Sequence, residues 1–304
     1  MLPTFLIIGA QKTGTTTLWA QLRQHPDVFL PDDKEPNFFV EELGWPKGRK
    51  WYEALFEPAG DSRQLGEAST LYTMYPTYAG VPARIASMVP DVKLIYVMRE
   101  PIARMESLYG LHLMAGWERR PISEALLLDT RYVDSSRYAM QIEQYLRHFS
   151  MDQMHFLTTE ALRDRPAATL RGILEFLDVD PDWTPPDADY KHNTRDEQRV
   201  PRDWWRAIGG LLIRSHLDAL VPDFVVRHNR YKLLTRPIRP EERHLEKRLQ
   251  ELLADVLKSD VERLQQWMGT DFDGWGYLNG EQAKSRTRGA TAYLSSSSLS
   301  SLSD

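Results

Sequence analysis

Phe5-Leu-Ile-Ile-Gly-Ala-Gln-Lys-Thr-Gly-Thr-Thr-Thr17 runs from an apolar stretch into a glycine-bounded loop and then into a helix start. The four consecutive apolar residues Phe5 to Ile8 read as a strand buried on both faces, because a strand with one wet face would alternate. Gly9 and Gly14 bracket the loop. Thr15-Thr16-Thr17 then open a helix whose apolar face carries Leu18, Trp19 and Leu22. A strand, a tight loop and a helix N-terminus aim several backbone N–H groups at one point, which makes an anion site.

The loop nearly matches the triphosphate pattern GxxxxGK[ST], with one displaced residue. That pattern puts lysine after the second glycine, whereas here Lys12 precedes Gly14 and Thr15 follows it. The loop is therefore read as built for a phosphate-like group other than the β/γ pair of a nucleoside triphosphate. Val92-Lys-Leu-Ile-Tyr-Val-Met98 reads as a second buried strand, ending in Arg99-Glu-Pro101. Where an ATPase commonly carries a metal-binding aspartate, this chain has a cation. A helix starting near Pro101 brings Ser107 about two turns on, and an arginine with such a hydroxyl suits a second, separate phosphate.

Composition narrows the possibilities. The 304 residues carry a net charge of −5, so no basic surface calls for nucleic acid. Cysteine is absent, which removes disulfides, thiolate metal sites and cysteine nucleophiles together. The eight histidines show no HExxH or similar metal spacing, so no metal site is expected. The opening residues lack a basic leader, and their apolar run is too short to span a bilayer. A cytoplasmic enzyme with no membrane span is expected.

Strand and helix patterns alternate along the chain. Further strands are expected at Asp27–Leu30, Gln64–Glu67 and Met154–Thr158, and helices at Trp51–Phe56, Val81–Met88, Arg137–Phe149 and Arg165–Leu177. A long helix is expected to start at Pro240 and continue past Leu264. The fold class that follows is α/β: a P-loop-like three-layer domain with a central, mostly parallel sheet flanked by helices. Residues 1–280 are read as one domain, and 281–304 as a serine-rich, disordered tail.

These motifs together resemble sulfotransferases that use 3′-phosphoadenosine-5′-phosphosulfate (PAPS), in the heparan sulfate N- and O-sulfotransferase branch and its soluble bacterial relatives. The resemblance rests on Gly9-Ala-Gln-Lys-Thr-Gly-Thr-Thr16, Lys34-Glu-Pro-Asn-Phe-Phe39, Gly66-Glu-Ala-Ser69 with Tyr72, Arg99-Glu-Pro-Ile-Ala-Arg-Met-Glu-Ser107 and Arg137-Tyr-Ala-Met-Gln-Ile-Glu-Gln-Tyr-Leu146. It implies PAPS as sulfuryl donor, 3′,5′-ADP as product, no metal, and a glycan, glycolipid or small-molecule acceptor bearing a hydroxyl. Oligomeric state does not follow from it.

The resemblance also assigns roles. Lys12, with Thr13, Gly14, Thr15 and Thr16, is expected at the 5′-phosphosulfate, and Lys12 at the leaving phosphate. Arg99 and Ser107 are expected at the 3′-phosphate, with Tyr138 and either Arg195 or Arg199 completing the nucleotide site. Glu35 is expected to be the general base. Glu67, Ser69, Tyr72 and His112 are the acceptor-side candidates, with Glu67 the rival base. The branch often has lysine after that glutamate, and Ala68 here argues against a highly sulfated acceptor. Two other readings stay open on the residues alone: a P-loop nucleotide or small-molecule kinase, and a catalytically silent nucleotide-binding scaffold.

Overall fold

The opening stretch forms strand β1, Phe5–Gly9, and helix α1, Thr15–Leu22. The computed structural model describes residues 1–186, 199–201, 235–269 and 272–278. Four more strands join β1: β2 (Val28–Phe29), β3 (Gln64–Ala68), β4 (Lys93–Met98) and β5 (Met154–Thr158). Their order is β2-β3-β1-β4-β5, and every neighbouring pair is parallel.

The apolar runs explain the layering. Along β1, Leu6 and Ile8 face one core cluster while Phe5 and Ile7 face another. Along β4, Leu94, Tyr96 and Met98 face the first cluster, Ile95 and Val97 the second. Both faces are therefore covered, as parallel sheets require. The second face holds Leu18 and Leu22 of α1, with Leu170, Ile173 and Leu174 of a helix at Pro166–Phe176. The first face holds helices at Arg49–Ala54, Val81–Met88, Pro101–Ala115, Tyr138–Tyr145 and Lys247–Met268. Burying each such aliphatic side chain stabilises the fold by about 1.5–3 kcal/mol.

In chain order the described helices are α1, α2 (Arg49–Ala54), α3 (Val81–Met88), α4 (Pro101–Ala115), α5 (Ile122–Leu128), α6 (Arg131–Asp134), α7 (Tyr138–Tyr145), α8 (Thr159–Asp164), α9 (Pro166–Phe176), α10 (Pro240–Arg243) and α11 (Lys247–Met268). The short α5, α6 and α8 have no counterpart in the sequence reading. The single long helix expected from Pro240 is broken in two. At the break, Glu106 of α4 accepts the Leu245 N–H (3.0 Å) and meets His244 Nδ1 (2.9 Å), a tertiary anchor that periodicity does not register. Likewise the run to Phe149 leaves the helix after Tyr145, where the His148 and Phe149 N–H groups both turn back to the Tyr145 carbonyl.

A second, two-stranded sheet pairs β6 (Arg199–Pro201) antiparallel to β7 (Thr235–Pro237). The expected tail lies outside the described residues. Among those residues, no helix is long and apolar enough to cross a membrane.

The strand order positions a site. From β1 the chain moves outward to β2, whereas from β4 it moves the other way to β5. Adjacent strands whose connections diverge leave a crevice beyond their carboxyl ends, where α/β sheets bind ligands. The loops lining that crevice are those of Lys12 and Arg99.

Candidate active site

The loop after β1 is tied down on both sides. The Ala10 N–H donates to the Val97 carbonyl of β4 (2.8 Å). Thr13 is buried and its hydroxyl donates to the Ala10 carbonyl (2.7 Å). The Thr13 carbonyl in turn accepts the Thr159 hydroxyl (2.7 Å) at the start of α8. Gly9 packs so closely that an added Cβ would lie 2.0 Å from the Thr73 hydroxyl oxygen, so a side chain there would displace the turn Thr70–Thr73. Gly14, at φ +90, caps α1 without a side chain, and no side-chain cap bond covers the first turn, where the Thr17 N–H turns back to the Gly14 carbonyl (3.0 Å). The first-turn N–H groups and the positive end of the helix dipole together suit an anion. Lys12 sits at φ +69, a left-handed conformation that costs a non-glycine residue about 1–2 kcal/mol.

Arg99, at the end of β4, donates from Nη1 to the Lys12 carbonyl (3.2 Å). The two cationic residues expected at separate phosphates therefore sit on joined loops. The next helix differs from α1 at its start. Glu100 caps α4 with its own carboxylate, accepting the Ile102 (3.2 Å) and Ala103 (2.6 Å) N–H groups. Beyond this filled cap stand the two side chains expected at the second anion, Arg99 at the end of β4 and Ser107, half-buried two turns along α4. This donor set, two cations with the open N-terminus of α1, fits a ligand bearing two separated phosphate-like groups. Tyr138, expected at the nucleotide, is buried behind Arg99. Its hydroxyl donates to the Arg99 carbonyl (2.7 Å) and accepts the Arg99 N–H (3.3 Å), so it steadies the backbone of that residue.

The Lys34–Phe39 loop lies at the end of β3. The Glu35 N–H donates to the Ala68 carbonyl (2.9 Å), and the Glu35 carboxylate accepts from Lys34 Nζ (2.8 Å) and the Thr70 hydroxyl (3.2 Å). The Glu35 side chain is 33% exposed and thus open to solvent or an acceptor. Glu35 (φ +69) and Asn37 (φ +49) are both left-handed, and this strained backbone is held from beneath.

What holds it is Glu67. This carboxylate is 1% exposed and accepts three hydroxyls: Tyr52 (3.0 Å), Ser69 (2.7 Å) and Tyr72 (2.6 Å). Two of those hydroxyls also accept loop N–H groups, Ser69 from Asn37 (2.9 Å) and Tyr72 from Phe39 (3.3 Å). Phe38 stacks on Tyr52 at 4.1 Å between ring centroids, which seals the cluster from water. Burial pushes Glu67 up to about 7, against the pull of its three hydroxyl bonds. Glu67, Ser69 and Tyr72, expected on the acceptor side, are thus a buried support for the Glu35 loop. In sequence Glu67 is an acid between Gly66 and Ala68 with no sign of burial, and only the fold covers it, with Tyr52 of α2 and Tyr72 of the turn after β3.

His112 is also placed elsewhere. It lies in the last turn of α4, about 16 Å along the helix axis from Pro101 at 1.5 Å per residue. There its Nδ1 meets the Tyr132 hydroxyl (2.7 Å), and burial holds its pKa below the usual imidazole value. Arg195 lies outside the described residues, and of Arg199 only the backbone, paired in β6, is described. Sequence reasoning missed Tyr52, Thr70 and Thr159, which are ordinary helix or turn residues until the fold brings them to the site. Among the described residues, no group of three His, Asp or Glu side chains is arranged to hold a metal ion.

Comparisons with known proteins place the chain in a family. The sequence model of the family described as "Sulfotransferase domain" matches residues 2–198. A curated mouse protein, heparan sulfate glucosamine 3-O-sulfotransferase 3A1, is 36% identical over 186 residues, covering 58% of this chain and 46% of the relative. A bifunctional heparan sulfate N-deacetylase/N-sulfotransferase 1 of Caenorhabditis briggsae is 30% identical over 203 residues, covering 59% of this chain and 23% of the relative. The chain thus spans about half or less of the length of these curated relatives. The crystal structure of a sulfotransferase from Alicyclobacillus acidocaldarius superposes with a TM-score of 0.67 at 24% identity, covering 90% of this chain and 99% of that one, a likeness of fold.

Proposed function

The chain belongs to the sulfotransferase domain family, and from that premise we propose that it moves the sulfuryl group of PAPS to an acceptor hydroxyl, with Glu35 as base. The observation carrying this reading is the joined pair of cationic loops, Arg99 Nη1 on the Lys12 carbonyl at the mouth of the sheet crevice. When bound, PAPS supplies the sulfuryl group and leaves as 3′,5′-ADP. Lys12, Thr15, Thr16 and the α1 N–H groups would hold the 5′ side, and Arg99 with Ser107 the 3′-phosphate. Lys12 offsets charge that accumulates on the leaving phosphate. Glu35 is steered by Lys34 and Thr70, and it accepts the acceptor's proton at its partly exposed carboxylate. The acceptor is a sugar, glycolipid or small-metabolite hydroxyl. The relatives' printed names include both O- and N-sulfotransferases of heparan sulfate, which supports a sugar among these acceptors.

The nucleotide tests this first. The wild-type protein is expected to bind 3′,5′-ADP about one to two decades more tightly than 5′-ADP, since a charge-assisted contact is worth about 1.5–3 kcal/mol. Equal affinities by calorimetry would remove the assignment of Arg99 and Ser107. Chelation tests it second. A sulfuryl group carries less charge than a phosphoryl group, and a cation stands at the end of β4 where kinases place a metal-binding carboxylate. Transfer from PAPS is expected to persist in EDTA, and a loss restored by Mg²⁺ would favour kinase chemistry.

A further inference from the structure

The segment Phe272–Leu278, far along the chain from the site, folds against the turn that follows Arg99. The Tyr277 hydroxyl donates to Glu100 Oε1 (2.5 Å) across 177 positions of sequence. The Trp275 indole N–H donates to Glu160 Oε2 (3.2 Å), and Glu160 Oε1 accepts the Glu100 N–H (3.2 Å). The Trp275 ring also lies 5.8 Å from that of Tyr138, whose hydroxyl holds the backbone of Arg99. Two aromatic side chains therefore reach the Arg99–Glu100 pair from one docked segment.

The segment is built to hold them there. Trp275 is left-handed at φ +53, with its N–H on the Asp273 carboxylate (2.8 Å) and its ring edge against Phe272 at 4.7 Å. Gly274 (φ +63) passes so close to the core that a Cβ would lie 2.7 Å from Leu278 and 2.9 Å from Val261.

The chemistry of the turn needs such donors. Glu100 and Glu160 are two carboxylates near an arginine expected to bind phosphate, and an unoccupied carboxylate oxygen competes with phosphate for a guanidinium. Tyr277 and Trp275 supply neutral O–H and N–H donors to those carboxylates, and Glu100 also accepts the Ile102 and Ala103 N–H groups of α4.

We propose that Trp275 and Tyr277 are positioning residues of the donor site: they keep Glu100 and Glu160 engaged, so that Arg99 stays directed to the ligand's second phosphate. The proposal rests on the reading of Arg99 as the 3′-phosphate contact. Tyr277→Phe and Trp275→Phe each remove one hydrogen bond and keep a ring, so the packing of the segment is retained. Calorimetry on the full chain, with thermal melting as the check on folding, would measure 3′,5′-ADP and 5′-ADP binding to each. The expected result is a loss of about five- to tenfold for 3′,5′-ADP with less than a twofold change for 5′-ADP. Leu264→Val, a core change on α11, should lower the melting temperature and leave the ratio of affinities intact. Folded variants that keep the wild-type ratio would overturn the proposal while leaving the donor assignment standing. A wild-type protein that does not distinguish the two nucleotides would overturn both. If one variant fails to fold, the other decides.

Discussion

Glu35→Gln is expected to lower sulfuryl transfer by about 10²–10⁴-fold while 3′,5′-ADP binds as it does to the wild type. The substitution keeps the size of the side chain and a hydrogen-bonding oxygen for Thr70, and it removes the group that would accept a proton. The strained loop gives the separation of effects its basis. Glu35 is held through its backbone by Ala68, and its neighbours Asn37 and Phe39 by Ser69 and Tyr72, so the glutamine inherits the same position. The nucleotide loop is anchored by different partners, Val97 and Thr159. Lys12→Ala should behave differently, weakening nucleotide binding and turnover together, because the proposed function sets its charge at the leaving phosphate. Near wild-type turnover in a folded Glu35→Gln protein would sink the base assignment. The base would then have to be sought elsewhere, because Glu67 is sealed from any acceptor and His112 stands in the last turn of α4.

Removing Glu67 is the change with the largest expected effect on stability. Glu67→Ala leaves three buried hydroxyls without their acceptor and opens a cavity beneath the Glu35 loop. The expected loss is about 3–5 kcal/mol, from unsatisfied groups that each cost about 1–3 kcal/mol. Glu67→Gln isolates the charge. Burial raises the folded-state pKa from 4.5 to about 7, so between those values the folded protein binds more protons than the unfolded chain. The resulting stabilisation is fully present below pH 4.5 and is lost as pH rises through 7, by about 3 kcal/mol in all. Glutamine stays neutral throughout and shows no such loss. Urea unfolding at pH 5 and at pH 8 should therefore find the wild type losing ground to Glu67→Gln as pH rises. A difference between the two proteins that stays constant over that range would refute the raised pKa.

The same cluster shows where sequence reading stops. Glu35 and Lys12 stand out in the sequence because each lies in a short motif whose neighbours state its context: a lysine between two loop glycines, a glutamate before Pro36 and two phenylalanines. Glu67 stands out in the same way, but its burial does not. Its three hydroxyl partners come from α2, from the end of β3 and from the following turn, and nothing local marks Tyr52 as one of them. The bonds of Tyr138 to the Arg99 backbone are equally invisible in sequence, since a tyrosine at a helix start reads the same whatever its hydroxyl meets.

The sequence by itself determined the layered α/β fold, the glycine-bounded loop after β1 and the cation ending β4. These depend on apolar runs, glycine placement and helix starts, interactions that act within some ten residues. Only the tertiary structure decided which carboxylate is open and which is buried, why the expected helix from Pro240 breaks at Glu106, and that Trp275 and Tyr277 reach the turn beside Arg99. The last two depend on contacts between residues more than a hundred positions apart. The first depends on desolvation, which belongs to the packed assembly and to no stretch of sequence.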